Sequence, residues 1–366
     1  MTDAAEHVIA QVRGCVGCIT LNRPAAFNAL SLEMVRSLTS ILLTWQQDEK
    51  VLAVAIRGNS NEGPFGLFCA GGDIRFLHTA GSRGDPQVED FFTEEYALDH
   101  LIHNYGKPYI AFMDGIVMGG GMGISQGAAL RVVTENTKMA MPETGIGLFP
   151  DVGGGFFLSR CPGRAGEWLA MTGEIIGAGD ALAFNLADGL LPSGAQGPLW
   201  EQLGSQAFAD GDAVQDFVAS KFIPANAFQV SDRSKIDQYF GLKSVGAIIA
   251  MLEAENGAWE QAAAATLRKR SPLMLHVALE QVRRGRSMSL ADNLRLERGM
   301  VRHCFHLRPG QSETLEGIRA LAVDKDKTPK WNPARIEDVT AALWQPFFTS
   351  PWPIHAHPLA GLKGGK

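Results

Sequence analysis

Between Lys107 and Arg160 the chain reads KPYIAFMDGIVMGGGMGISQGAALRVVTENTKMAMPETGIGLFPDVGGGFFLSR, and eleven of its 41 glycines fall between Gly115 and Gly155. Glycine lets a backbone turn tightly or approach another group closely, at an entropic cost inside regular structure. So dense a stretch reads as backbone arranged around something small. It opens with a strand-like run, Tyr109 to Met113, and a turn at Asp114-Gly115. A cluster, Gly119-Gly120-Gly121-Met122-Gly123, follows. Two carboxylates then stand directly after prolines, Glu143 after Pro142 and Asp151 after Pro150.

The flanking sequence supplies a frame. Residues 8–22 read as one or two strands stopped at Asn22-Arg23-Pro24, where proline breaks the pattern. Ser31 is placed to cap a helix whose apolar positions Met34, Leu38, Ile41, Leu42 and Trp45 keep helical spacing. Val51 to Ile56 is a β-branched run, about 88–103 is helical, and about 119–129 is a second helix. Leu130 to Val133 and Lys138 to Met141 are strands. Strands alternating with helices predict an α/β class.

Strand signals stop near residue 200. Helices are expected over 244–255 and 258–270, and Ser271-Pro272 opens another with a cap and an N1 proline. Gly285 sits where a C-terminal glycine belongs, and Ser289 can cap the next helix. The expected division is a catalytic core over 1–210 and a mostly helical region over 211–366. Basic residues 268–270 and 283–286 fall at helix ends, where cations favour the macrodipole.

Length and composition narrow the function. A chain of 366 residues buries a large core, and 46% hydrophobic with 20% charged residues suits a globular protein. A net charge of −6 argues against nucleic acid as the main partner. No apolar run approaches the roughly 18 residues of a membrane span, and the acidic start MTDAAEHVIAQV resembles neither a secretory signal nor a transit peptide. The expectation is a cytoplasmic protein with no membrane partner. Five scattered cysteines, including Cys15 and Cys18, read as buried thiols rather than a disulfide frame or zinc site. His355 and His357 read as tail residues, not metal ligands.

A helix starting near Gly119 or Gly120 would present free N–H groups backed by the positive dipole end. Such donors stabilise an oxygen that gains charge during reaction. The loop Ala70-Gly71-Gly72 could add a second donor, making a two-amide pocket for a thioester or ester carbonyl; close packing is the alternative use of these glycines. Glu143 and Asp151 could be a turn carboxylate and a helix cap. Side by side they suit acid/base or nucleophilic work, because close carboxylates push their titrations apart. Gly123-Ile124-Ser125-Gln126-Gly127 also matches G-x-S-x-G, but that elbow needs a strand running into the serine. Here Ser125 falls inside the expected helix.

Asn22-Arg23-Pro24 with Asn28-Ala29-Leu30, Phe68-Cys69-Ala70-Gly71-Gly72-Asp73 and the Gly119-Gly120-Gly121 helix start together resemble the crotonase superfamily of acyl-CoA enzymes. FFTEEY (91–96), MPETGIGLFPDVGGGFFL (141–158) and DKDKTPKWNPA (324–334) look like its 3-hydroxyisobutyryl-CoA hydrolase family. The resemblance implies a crotonase-like spiral of ββα units followed by a helical C-terminal region that packs on the core or on a neighbouring subunit in a homo-oligomer. It implies an oxyanion hole from the amides of Gly72 and Gly120. Coenzyme A would lie against Arg23, Asn28 and Ala29, and against Ala70, Gly71, Asp73 and Ile74, with Lys325 or Lys330 at its phosphates.

In the same resemblance Glu143 matches the main catalytic carboxylate, Asp151 the second, and Glu95 a substrate-contacting acid. Enoyl-CoA hydratases carry a first glutamate at the position of Gly123, and glycine at that of Asp151. That exchange implies thioester cleavage, in valine breakdown, over hydration of a double bond. Coenzyme A is then part of the substrate, with no separate cofactor and no metal. A hydratase or isomerase of the same fold is the alternative, and a serine hydrolase using Ser125 the more distant one.

Overall fold

A computed structural model describes residues 6–226 and 228–364. The chain forms two compact units, and neither is contiguous. The first takes the chain up to Gly72, then Ala97–Met139 and Ile175–Val230; the second takes Asp73–Tyr96, Ala140–Glu174 and the chain from Ser231 onward. This differs from a single division at residue 210. The helical C-terminal part builds its unit together with two earlier stretches, one of which carries both proline-linked carboxylates.

In the first unit the strands are β1 (Val8–Arg13), β2 (Val16–Leu21), β3 (Ala53–Ser60), β4 (Gly63–Pro64), β5 (Tyr109–Met113), β6 (Ile116–Met118), β7 (Leu130–Val133), β8 (Lys138–Ala140, whose last residue counts with the second unit) and β9 (Gly189–Leu190). The main sheet runs β1-β2-β3-β5-β7-β9, with β4 on β3, while β6 and β8 pair separately. β1 is antiparallel to β2, and the path from β2 to β9 is parallel throughout.

Side chains alternate across a strand, so Val16 and Cys18, Ala53 and Ala55, Ile110 and Phe112, and Leu130 and Val132 line one face. They pack with Leu199, Trp200, Leu203, Val214 and Val218 from the helices Ser193–Ser205 and Gly211–Ala219. On the opposite side of β2, a Cβ at Gly17 would lie 2.4 Å from the Trp45 ring. That tryptophan belongs to the helix Leu32–Gln47, capped as expected by Ser31, whose Oγ accepts from Met34 N. A sheet covered on both faces explains why its strands are continuous apolar runs.

The second unit is helical around Pro272–Gly285, a helix buried at Leu273, Met274, Leu275, Val277, Ala278, Leu279 and Val282. Ser271 caps it with Pro272 at its start, and Ser289 caps Leu290–His306, both as expected. Gly285 differs from expectation. It is the last helical residue, not a left-handed cap, and a Cβ there would meet Gly155 O at 2.0 Å. Its role is close approach between helices. The basic helix ends are engaged in pairs: Arg268 with Glu253 and Glu337, Arg286 with Glu167.

Candidate active site

The glycine cluster forms the helix Gly120–Gln126, entered through Gly119, with every helical residue buried. As its first residue, Gly120 has an amide with no partner inside the helix. The loop before it comes close. Gly71 has φ +104°, and a Cβ there would lie 3.2 Å from Met118 O and 3.4 Å from Gly120 N. Only glycine holds that backbone without strain. Gly72 pairs with Leu30 in a parallel bridge, so the Ala70–Gly72 loop, the Leu30 segment and the helix start are neighbours in the first unit.

Asn28 fixes the adjoining loop. It is fully buried, and its Nδ2 donates to the carbonyls of Asn59, Leu67 and Phe68 at 2.9–3.0 Å. Its Oδ1 accepts from Arg23 N at 2.8 Å, Arg23 Nη1 donates to Ala29 O, and Ala70 N donates to Phe27 O. Arg23 and Ala29 remain half-buried around this knot. In the second unit, Asp73 caps the helix Ile74–Arg83 by accepting from Phe76 N.

The second unit also brings three predicted carboxylates together. Glu95, Glu143 and Asp151 are 2%, 5% and 5% exposed, and each of the two glutamates feels the charge of Asp151. Glu143 opens the short turn Glu143–Ile146 after Pro142. Burial first, and the Asp151 charge second, push the Glu143 carboxyl well above the ordinary range, with Arg270 acting the other way. Glu95 is driven up by burial and by both neighbours. Asp151 rises to about 6 through burial, opposed by the hydroxyl of Tyr96, which donates to its Oδ2 at 2.7 Å. Among the described residues, Glu95 Oε1 and Glu143 Oε2 are buried with no hydrogen-bond partner. Buried polar atoms are normally paired, and two unpartnered oxygens among mutually repelling carboxyls make this cluster the candidate site.

Asp151 does not cap the helix Gly154–Leu158; its main-chain carbonyl accepts from Gly154 N while its carboxyl faces Tyr96. Tyr96 enters the sequence reading only within the FFTEEY motif, and Arg270, Gln281, Asn293 and Glu297 carry no site role there. A signal existed for the last two: Asn293 and Glu297 sit four apart on a stripe otherwise made by Leu290, Leu294 and Val301.

Ser125 is excluded as a nucleophile elbow. It is fully buried inside the helix, and its Oγ donates to Gly121 O at 2.8 Å. Lys325 and Lys330 lie exposed on the segment after Arg319, whose guanidinium binds Asp324 and Asp326 at 2.6 and 2.7 Å. Cys15 is half-buried, Cys18 is buried with its thiol pushed up to about 11, and none of the five cysteines forms a disulfide. His357 is bound to Arg295 O, and among the described residues no His, Cys, Asp and Glu group could hold a metal ion.

Residues 16–348 match the family model described as enoyl-CoA hydratase/isomerase. The chain is 39% identical over 343 residues to the 3-hydroxyisobutyryl-CoA hydrolase, mitochondrial, of Xenopus tropicalis, covering 92% of this chain and 87% of the relative. It is 36% identical over 345 residues to the protein of the same name from Homo sapiens, covering 93% and 87%. Among solved structures, a carnitinyl-CoA dehydratase from Mycobacterium thermoresistibile superposes with a TM-score of 0.85 at 37% identity, covering 95% and 98%. An enoyl-CoA hydratase from Rhodobacter sphaeroides does so at 0.83 and 34%, covering 94% and 98%. Both relatives carry a mitochondrial label where the sequence suggested cytoplasm, and among the described residues no helix is long and apolar enough to cross a membrane. Family model, relatives and fold agree, and this chain belongs to the enoyl-CoA hydratase/isomerase family.

Proposed function

We propose that the protein hydrolyses the thioester of a short 3-hydroxyacyl-CoA, with 3-hydroxyisobutyryl-CoA as the leading substrate. The observation that carries this reading is the buried trio Glu95, Glu143 and Asp151 in a chain with glycine at position 123. Three carboxyls that repel one another in a dry environment titrate as a set. Burial and mutual repulsion raise all three carboxyls, so an ionised and a protonated member coexist in the set. A base and an acid are thus both present.

In the proposed reaction Glu143 attacks the acyl carbon or takes a proton from water that does so. The C–S bond breaks and the sulfur leaves as a thiolate that accepts a proton. Where Glu143 attacked, water then cleaves the resulting anhydride and restores the Glu143 carboxyl, and by either route the acyl group ends as a free hydroxy acid. The amides of Gly72 and Gly120 take the oxyanion role. Glu95 and Asp151 bind the substrate hydroxyl or pass the proton to sulfur. Nothing in this scheme needs a metal or redox group, because backbone amides polarise the carbonyl. Coenzyme A is assigned to the Arg23–Ala29 and Ala70–Ile74 segments. Lys325 or Lys330 meets its phosphates, a role that Arg319 supports by occupying the neighbouring acids. The hydrolase names of the curated relatives support the thioester as the bond attacked.

The test is thiol release, followed with a thiol-reactive dye, over 3-hydroxyisobutyryl-CoA, 3-hydroxypropionyl-CoA, acetyl-CoA and crotonyl-CoA. Fast release confined to the 3-hydroxyacyl thioesters is expected. The two solved neighbours are titled as a dehydratase and a hydratase. Loss of crotonyl-CoA absorbance without thiol would therefore replace hydrolysis by hydration.

A further inference from the structure

Asp151 stands immediately before two residues in the left-handed region, Val152 at φ +54° and Gly153 at φ +86°. For a β-branched residue such as valine that conformation is an outlier, and it persists only where the surroundings impose it. The surroundings here converge on one side chain. Glu297, fully buried in the middle of the helix Leu290–His306, accepts from Gly153 N through Oε2 at 2.7 Å and from Gly155 N through Oε1 at 2.9 Å. Gln281 Nε2 donates both to Glu297 Oε1 at 2.8 Å and to Pro150 O at 2.7 Å. Asn293 Nδ2 completes the set on Oε1 at 2.6 Å. The main chain is held just before Asp151, by the Pro150 carbonyl, and just after it, by the Gly153 and Gly155 amides.

No part of the proposed mechanism uses Glu297, yet burying a carboxylate is costly unless it is fully bonded. Four donors meet that demand, and two of them are backbone amides of the turn that carries Asp151. We infer that Glu297 is a positioning residue, whose two carboxyl oxygens, accepting from the Gly153 and Gly155 amides, lock the Val152–Gly153 turn and so aim the Asp151 carboxyl. The inference deepens the hydrolase reading and rests on it for the role of Asp151. Tyr96, donating to Asp151 Oδ2, then finds its acceptor already fixed from the main-chain side.

The first test is Glu297→Gln, which keeps size but replaces one acceptor oxygen by a donor that faces a backbone N–H. Small misplacement of a reacting group lowers turnover sharply. We therefore expect kcat to fall about 10–100-fold with KM changed less than about threefold. Amide hydrogen exchange at Gly153, Gly154 and Gly155 should accelerate at least about tenfold, as release of a locally locked segment requires. Gln281→Met, which cuts the tie to Pro150, is the milder second variant, expected to give the same pattern at lower amplitude. A folded Glu297→Gln protein with wild-type kcat and unchanged exchange in the turn overturns the inference. If that variant does not fold, wild-type kcat and exchange in Gln281→Met overturn it. The exchange measurement needs no substrate. Absence of thiol release by the unaltered protein would instead count against the hydrolase reading.

Discussion

Two buried polar regions in this molecule are treated in opposite ways. The Asn28 side chain, in the first unit, is bonded at both ends: three carbonyls on its Nδ2 and the Arg23 amide on its Oδ1. Around Glu143, in the second, buried carboxyls feel one another's charge, and among the described residues two of their oxygens have no hydrogen-bond partner. A satisfied polar group in a core specifies structure; an unsatisfied, mutually repelling set raises its own energy and is a candidate for chemistry. The comparison separates residues that hold the Arg23–Ala29 loop in place from carboxyls that are candidates for work on a substrate.

The sharpest way to break it is Glu143→Gln. Acid/base participation is typically worth about 10²–10⁴ in rate, so thiol release should fall by that factor while KM stays close to the wild-type value. The same change removes a buried ionisable group. It should therefore leave the fold intact or raise the melting temperature at pH 8, measured by calorimetry. Turnover at the wild-type rate would remove Glu143 from the mechanism.

Asn28→Ala should do the reverse. It strands the buried carbonyls of Leu67 and Phe68 and the part-buried one of Asn59, and lost hydrogen bonds to buried groups cost about 1–3 kcal/mol apiece before relaxation. A net loss of roughly 2–4 kcal/mol in urea unfolding is expected for a buried network. KM for the acyl-CoA should rise as the Arg23–Ala29 loop slackens, with kcat little changed. A fall in kcat at constant KM would place Asn28 on the chemical side of the comparison.

The contrast also has a pH signature. The carboxyl of Asp151 is raised to about 6 and that of Glu297 to about 8, both chiefly by burial; Glu95 and Glu143 shift the same way. Carboxyls whose folded-state pKa is raised contribute stability that is complete below their unfolded pKa, near 4. That stability is lost as pH rises through the folded values. Stability should therefore decline between about pH 5 and pH 8, by up to about 1.4 kcal/mol per pH unit for each proton released. Glu143→Gln should flatten the slope, whereas Asn28→Ala should lower the whole curve without tilting it. Melting temperatures at several pH values distinguish the two.

Much of this was legible in the sequence, and the reason is local. β5 and β7 match their expected residues, because each is an apolar run closed by turn residues. The caps at Ser31, Ser271 and Ser289 need only the residues beside them. What failed to show in the sequence is what depends on partners far along the chain. Tyr96 reaches Asp151 across 55 positions and Gly153 reaches Glu297 across 144. The two interleaved units depend on the same kind of distant contact. Gly285 belongs here too: its place at a helix end suggests a cap, but the distant Gly155 carbonyl is what forbids a side chain.

The smallest expected effect tests the comparison from the satisfied side. Ser125 carries the motif of a nucleophile, but its hydroxyl donates to Gly121 O at 2.8 Å and lies near Met122 O at 3.3 Å, inside a buried helix. A hydroxyl returned to its own helix adds little, because those carbonyls already have backbone partners, and alanine is the better helix former by about 0.5 kcal/mol. Ser125→Ala should therefore leave kcat within about twofold, since it removes no interaction made in the transition state. Unfolding should shift by no more than about 0.5–1 kcal/mol. Loss of activity in a folded Ser125→Ala protein would mean that a paired side chain does the chemistry while the unpaired carboxyls do not. Unsatisfied burial would then lose its standing here as the mark of the active site.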